Sequence, residues 1–145
     1  MHGRVEAVFG RKVALGLIAA DWKVKEMAIK HVHKKFEKSM AKADMNMDLI
    51  ELVQAAVATV SVTCREKVMK VFNISLQLFH SLITSSKIDQ DPKAIAAFVN
   101  LLTTEDIIRK LLFKSEESNT RLTNKIHEAL LDLSYHPKIG EDLVA

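Results

Sequence analysis

The sequence predicts an all-α protein, a solenoid of stacked helical pairs, and three observations carry that reading. Four glycines and two prolines in 145 residues leave few points where a helix is interrupted, while the strong helix formers Ala, Leu, Lys, Glu and Met are abundant. Apolar residues recur at spacings of three and four along nearly the whole chain. The pattern also repeats together with its capping residues. Val24, Ala28 and Val32 correspond to Val68, Phe72 and Leu76, then to Leu122, Ile126 and Leu130, at offsets of 44 and 54 residues.

The elements follow in order. Residues 4–20 read as one helix with Val5, Val8, Phe9, Val13, Leu17 and Ile18 on a shared face. Asp21 offers a carboxylate to the free amides of a second helix, which carries Val24, Ala28, Val32 and Phe36. The other face of that helix is rich in lysine, including Lys30, Lys34 and Lys38. After the polar break "KADMNMD", Asp48 and Glu51 form a capping-box pattern ahead of Ile50, Val53, Val57 and Val60. "TCRE" reads as another such box, Thr63 capping and Glu66 reaching back, before a helix that buries Val68, Phe72, Leu76 and Phe79. "DQDPK" is the linker, and Asp91 with Pro92 starts a short helix to about Leu102. Thr103 and Asp106 restart the chain through Ile107, Ile108, Leu111 and Leu112. Ser118 caps the helix of Leu122, Ile126, Leu130 and Leu133, which Pro137 and Gly140 end. "EDLVA" reads as the start of a further element.

Helical pairs recurring at about 40–47 residues are the signature of HEAT and armadillo arrays. The longer second offset is accounted for by the insert around Asp91. The chain therefore reads as a single domain over residues 1–145, with pairs at about 4–38, 48–84 and 92–135 and the start of a fourth. Each pair has an apolar face that only a neighbour covers. The incomplete fourth pair leaves self-association through the carboxyl-terminal face as an expectation.

Charged residues make up 27% of the chain and the formal net charge is +3. That balance suits acidic partners and falls short of the dense basic stripe of a nucleic-acid binder. No apolar run reaches the length of a membrane span, and the amino terminus lacks the order of a signal peptide. Cys64 is the single cysteine, so an intrachain disulfide is impossible and a reducing, cytoplasmic setting is expected.

Little in the sequence points to catalytic chemistry. The six histidines form no ligand pattern: His31 and His33 point in different directions on a helix, and His127–Glu128 lacks the second histidine of a zinc-protease motif. Cys64 sits at what reads as a helix start, where the macrodipole lowers a thiol pKa, yet no base or orienting group is assignable. A glycine-rich phosphate loop and a clear carboxylate pair are both missing. The reading is a non-catalytic module that needs no cofactor or metal, in which Cys64 is structural; an enzyme using Cys64 as nucleophile is the rival.

In a helical-pair solenoid the turns inside the pairs line up along one edge. Residues 20–23, 61–65 and 116–121 are those turns, presenting Trp22 and Lys23, Thr63 and Arg65, and Asn119 and Arg121. An aromatic anchor among basic side chains suits a protein-binding strip. Trp22 equally suits packing against the preceding helix, and physics alone leaves the two open. "ADWKVKEMAIKHV" resembles the first-repeat turn of TOG domains, HEAT-repeat tubulin-binding arrays of microtubule regulators. "TVSVTCREKVMKVFNISLQLFHSLITS" and "KSEESNTRLTNKIHEALLDL" are similar to the second and third repeats. They look most like a divergent branch found in a centrosomal and ciliary-tip protein and in a MEK-kinase type MAP kinase kinase kinase. The match covers nearly all of the chain, whereas a complete TOG domain has about six pairs, so the chain looks like roughly the first half of one.

The resemblance implies tubulin as partner and a location on microtubules. It makes Trp22 and Lys23 the first-turn contacts, Thr63 and Arg65 the second, and Asn119 and Arg121 the third. The second turn departs from the family pattern. The alternative is a general HEAT or armadillo scaffold, in kinase signalling, that binds another protein through its concave helices and the Lys30, Lys34 and Lys38 face. Neither reading calls for nucleic acid or a membrane.

Overall fold

Three aspartates set where long helices begin. In the computed structural model, which describes residues 2–42, 48–117, 120–137 and 139, Asp21 Oδ1 accepts from the Lys23 amide at 2.9 Å. Asp48 Oδ1 accepts from the Ile50 and Glu51 amides at 2.8 and 3.3 Å. Asp91 Oδ1 accepts from those of Lys93 and Ala94 at 3.0 and 3.4 Å. Each satisfies donors that the first helical turn leaves without partners. The described residues form nine helices: α1 (His2–Phe9), α2 (Arg11–Leu17), α3 (Trp22–Ala41), α4 (Leu49–Thr63), α5 (Met69–Thr84), α6 (Ser86–Asp89), α7 (Pro92–Thr104), α8 (Ile107–Glu117) and α9 (Thr120–Ser134).

They stack in two layers. Helices α1, α4 and α7 pack side by side in one, and α3, α5 and α9 in the other, with α2 on α3, α4 on α5 and α8 on α9 closing each pair. This is the all-α, HEAT-like solenoid that the repeat predicts. Helix α4 lies in the middle and is buried on every side, with Leu52, Val53, Ala55, Ala56, Val57, Ala58 and Val60 all at 1% exposure or less. Its alanines let the neighbouring helices come close. Its buried Thr59 is satisfied within the helix, donating to the Ala55 carbonyl at 2.9 Å. Between the layers, Phe79 of α5 meets Phe98 of α7 edge-to-face, centroids 6.4 Å apart.

The structure departs from the sequence reading where backbone geometry intervenes. Residues 4–20 are two helices, because Gly10 adopts φ 95° and ψ 159°, a region essentially reserved for glycine. The break lets α1 stack on α4 while α2 turns onto α3. Ile18, expected in the core, is 60% exposed, and Val24 is 42% exposed. Gly16 makes the α2–α3 contact possible: a Cβ there would lie 2.9 Å from the Ala28 Cβ.

A second break separates α7 from α8. Thr103 starts nothing; it lies inside α7, donating to the Val99 carbonyl at 3.2 Å. The turn comes at Asp106, whose φ of 54° is left-handed, a conformation that Asp tolerates. Leu112 is 46% exposed. The linker before Asp91 contains the one-turn α6, capped by Ser85 and anchored by the buried Ile88. The expected cap Ser118, the contact Asn119, the helix-ending Gly140 and the start of a fourth pair in residues 141–145 lie outside the described residues.

Candidate functional site

The α2–α3 turn and the start of α5 gather an aromatic ring and cations at one place. Trp22, the first residue of α3, is partly buried and rests against the core. Two ammonium groups lie over its ring: Lys23 Nζ is 5.9 Å and Lys70 Nζ 5.7 Å from the centroid. Each cation–π contact of this kind contributes about 0.5–1 kcal/mol at an exposed site. Trp22 is thus both packed and presented, so the structure keeps both sequence alternatives. Lys70 escaped the sequence reading; its only signal was its place two residues into a lysine-rich helix start.

Lys25 anchors this corner. Its Nζ lies 3.1 Å from both carboxylate oxygens of Glu66, joining α3 to the α4–α5 turn, and the two side chains are only 20% and 17% exposed. Glu66 therefore pairs across repeats and is not the reciprocal partner of a helix cap.

Thr63 does not reach this edge. It is the last residue of α4 and fully buried, with Oγ1 2.8 Å from the Thr59 carbonyl oxygen and 2.7 Å from Ser75 Oγ. "TCRE" mimics a helix start, but α4 runs through Thr63, and α5 begins at Met69 after Val68, which makes no side-chain cap. Cys64 accordingly caps the carboxyl end of α4, where the helix dipole no longer favours a thiolate. Burial pushes its thiol above the ordinary value of 9.0, against opposing fields from Lys110 and Arg65.

Arg65 is exposed on the turn and lines a cleft of about 430 Å³ with Lys67 and the α8 residues Arg109, Lys110, Phe113 and Lys114, together with Asp106. Arg121, exposed at the start of α9, lines a smaller cleft of about 120 Å³ with Met69, Asn73, Leu122 and Lys125. Three of the five predicted edge residues that are described, Trp22, Lys23 and Arg121, thus flank the first turns of α5; Arg65 faces α8 instead. Sequence reasoning expected the break near Asp106 but had no means to place α8 beside Arg65, because that proximity joins residues far apart in the chain.

The lysine face behaves differently from the sequence reading. Lys35 donates to the Val8 carbonyl at 2.9 Å and lies 5.9 Å from the Phe9 ring, pinning α3 to α1. Lys30 pairs with Glu26 at 3.3 Å. The broad groove over α3, α5 and α9, about 570 Å³, is lined by His33, Glu37, His80, Lys125, Glu128 and Asp132 among others, and by none of Lys30, Lys34 and Lys38. Across it, His33 Nε2 sits 3.2 Å from Ser81 Oγ, and His80 Nδ1 sits 3.9 Å from Asp132. Among the described residues, no three His, Cys, Asp or Glu side chains are placed to hold a metal ion, and no helix is long and apolar enough to cross a membrane.

Residues 3–136 match the family described as centrosomal protein CEP104, TOG domain. A solved structure titled "CEP104 TOG domain" superposes with a TM-score of 0.76 over 95% of this chain at 22% identity. This chain spans about half, 52%, of that structure's length. No curated protein matches.

Proposed function

The chain belongs to the family of the centrosomal protein CEP104 TOG domain, and from that premise we propose that it is a non-catalytic module that binds tubulin along the Trp22 edge and links its parent protein to the microtubule cytoskeleton in the cytoplasm. The observation that carries this reading is the Trp22 ring centroid 5.9 Å from the Lys23 ammonium and 5.7 Å from that of Lys70, with Arg121 lining a cleft beside Met69 at the start of α5. Trp22 is the apolar anchor; Lys23, Lys70 and Arg121 meet carboxylates on the acidic tubulin surface. Aromatic and arginine side chains at such positions dominate binding energies. Arg65 contributes from the neighbouring turn, and Thr63 serves the core.

The test is sedimentation velocity of the domain with unpolymerised tubulin. Loss of a central aromatic anchor costs about 2 kcal/mol or more, so Trp22→Ala weakens binding about thirtyfold; Arg121→Glu weakens it and lowers its salt dependence. Melting curves check that both variants remain folded. Equal co-migration of wild type and Trp22→Ala refutes the assignment. Charge reversal at Lys30, Lys34 and Lys38 leaves binding intact; loss there, with the turn variants unaffected, supports the general-scaffold reading.

A further inference from the structure

The cleft beside Arg65 is built mostly from residues outside the intra-pair turns. Its walls are the α4–α5 turn, with Arg65 and Lys67, and the first turns of α8, with Arg109, Lys110 and Phe113. Five basic side chains and one carboxylate, Asp106, line a volume of about 430 Å³; a second carboxylate, Glu105, lies nearby with Oε2 3.3 Å from Ser61 Oγ. On a chain whose formal net charge is only +3, this concentrates a large share of the positive potential in one concavity, where low-dielectric walls focus the field.

The basic groups are not equivalent. Lys110 Nζ donates to Ser61 Oγ at 2.8 Å, one of its three donors, which fixes its head at the cleft wall. Lys114 is 9% exposed, its Nζ 5.3 Å from the Phe72 ring, and it sets a positive floor. Arg109 is 84% exposed and lies 3.6 Å from Asp106. An exposed pair of that kind contributes little, so the guanidinium fork is open to a second carboxylate.

Phe113 adds an apolar surface to the basic cleft. It is 63% exposed within this basic frame, and its neighbour Leu112 is 46% exposed. An apolar ring surrounded by cations suits a ligand that brings carboxylates and an apolar side chain together. A nucleic-acid backbone calls for a longer basic track than one cleft of this size provides.

We propose that the cleft between the α4–α5 turn and α8 is a docking site for an acidic peptide segment carrying an apolar side chain. Carboxylates of the peptide meet Lys67, Arg109 and Lys110, and its apolar residue packs on Phe113. The site shares Arg65 with the tubulin reading but none of Trp22, Lys23, Lys70 and Arg121, and Lys67, Arg109 and Phe113 lie outside those contacts.

Fluorescence anisotropy of the whole chain with a labelled peptide of glutamates flanking one leucine tests it. Binding is saturable and weakens as salt rises. The Lys67→Glu, Arg109→Glu double variant, both positions exposed, loses about tenfold or more in affinity. Phe113→Ser loses several-fold and erases the preference for the leucine-containing peptide over an all-glutamate one. No saturable binding, undiminished binding by the double variant, an unchanged preference in Phe113→Ser, or tighter binding of a single-stranded RNA of equal charge each overturns the proposal. The tubulin reading is judged separately, by Trp22→Ala on tubulin, so either fails without the other.

Discussion

Gly16→Ala is a small substitution with a sharp consequence for the corner that presents Trp22. The added methyl would sit 2.9 Å from the Ala28 Cβ and 3.7 Å from a methyl of Val24. Carbon atoms rest at about 3.5–4.0 Å, so α2 and α3 must separate by roughly 0.6–1 Å, and Ala28, a single methyl on a helix, has no rotamer with which to yield. Overpacking of this sort costs about 1–3 kcal/mol. Opposing it, Ala in place of Gly within a helix gains up to about 1 kcal/mol. The clash wins, by about 1–2 kcal/mol, which at this chain length lowers the melting temperature by about 2–8 °C. Urea and thermal denaturation of Gly16→Ala, Ala28→Gly and the double variant read it as a cycle. With Ala28 shortened to glycine the clash partner is gone, and the same Gly16→Ala change becomes neutral or stabilising. If Gly16→Ala stabilises the chain equally in both backgrounds, the α2–α3 approach described here is wrong, and with it the placement of Asp21 and Trp22.

Other outcomes follow from single contacts. Thr63→Val keeps the shape of a fully buried side chain but removes the hydroxyl shared by Thr59 and Ser75; it costs about 1–2 kcal/mol in urea denaturation while tubulin binding persists in the folded protein, and loss of binding without loss of stability would return Thr63 to the edge. The Cys64 thiol is pushed above 9.0 by burial, so the folded state holds its proton more tightly than the unfolded chain does. Its contribution is complete below about pH 9 and declines as pH rises through the higher folded value. The stability gap between wild type and Cys64→Ala therefore narrows above pH 9, and native Cys64 reacts with iodoacetamide far more slowly than a free thiol. A pH-independent gap, or alkylation at the free-thiol rate, contradicts the buried site.

How much of the candidate edge was legible divides along the same line. Trp22, Lys23 and Arg121 were expected at the edge, and Lys23 and Arg121 are exposed and Trp22 partly buried there, because a residue just after a turn reaches a repeat edge almost regardless of packing. Thr63 was misplaced because a capping box is a local pattern, whereas the decision to extend α4 through Thr63 came from burial of that helix on all sides. Lys70 and the α8 cleft were missed because each depends on residues far apart in the chain being neighbours.

The sequence by itself determined the all-α class, the aspartate-led helix starts and the stacking of pairs, since helix propensity, capping and apolar period act within a few residues of one another. It also carried the family resemblance. Tertiary structure decided the rest: that Gly10 breaks the first helix so that α1 stacks on α4 while α2 turns onto α3, that α8, after a break the sequence did announce, packs on α9, that Lys25 takes Glu66, and that Arg65 faces α8. Those outcomes are set by the energy of packing one helix against several neighbours at once, and no local window of the chain contains that sum.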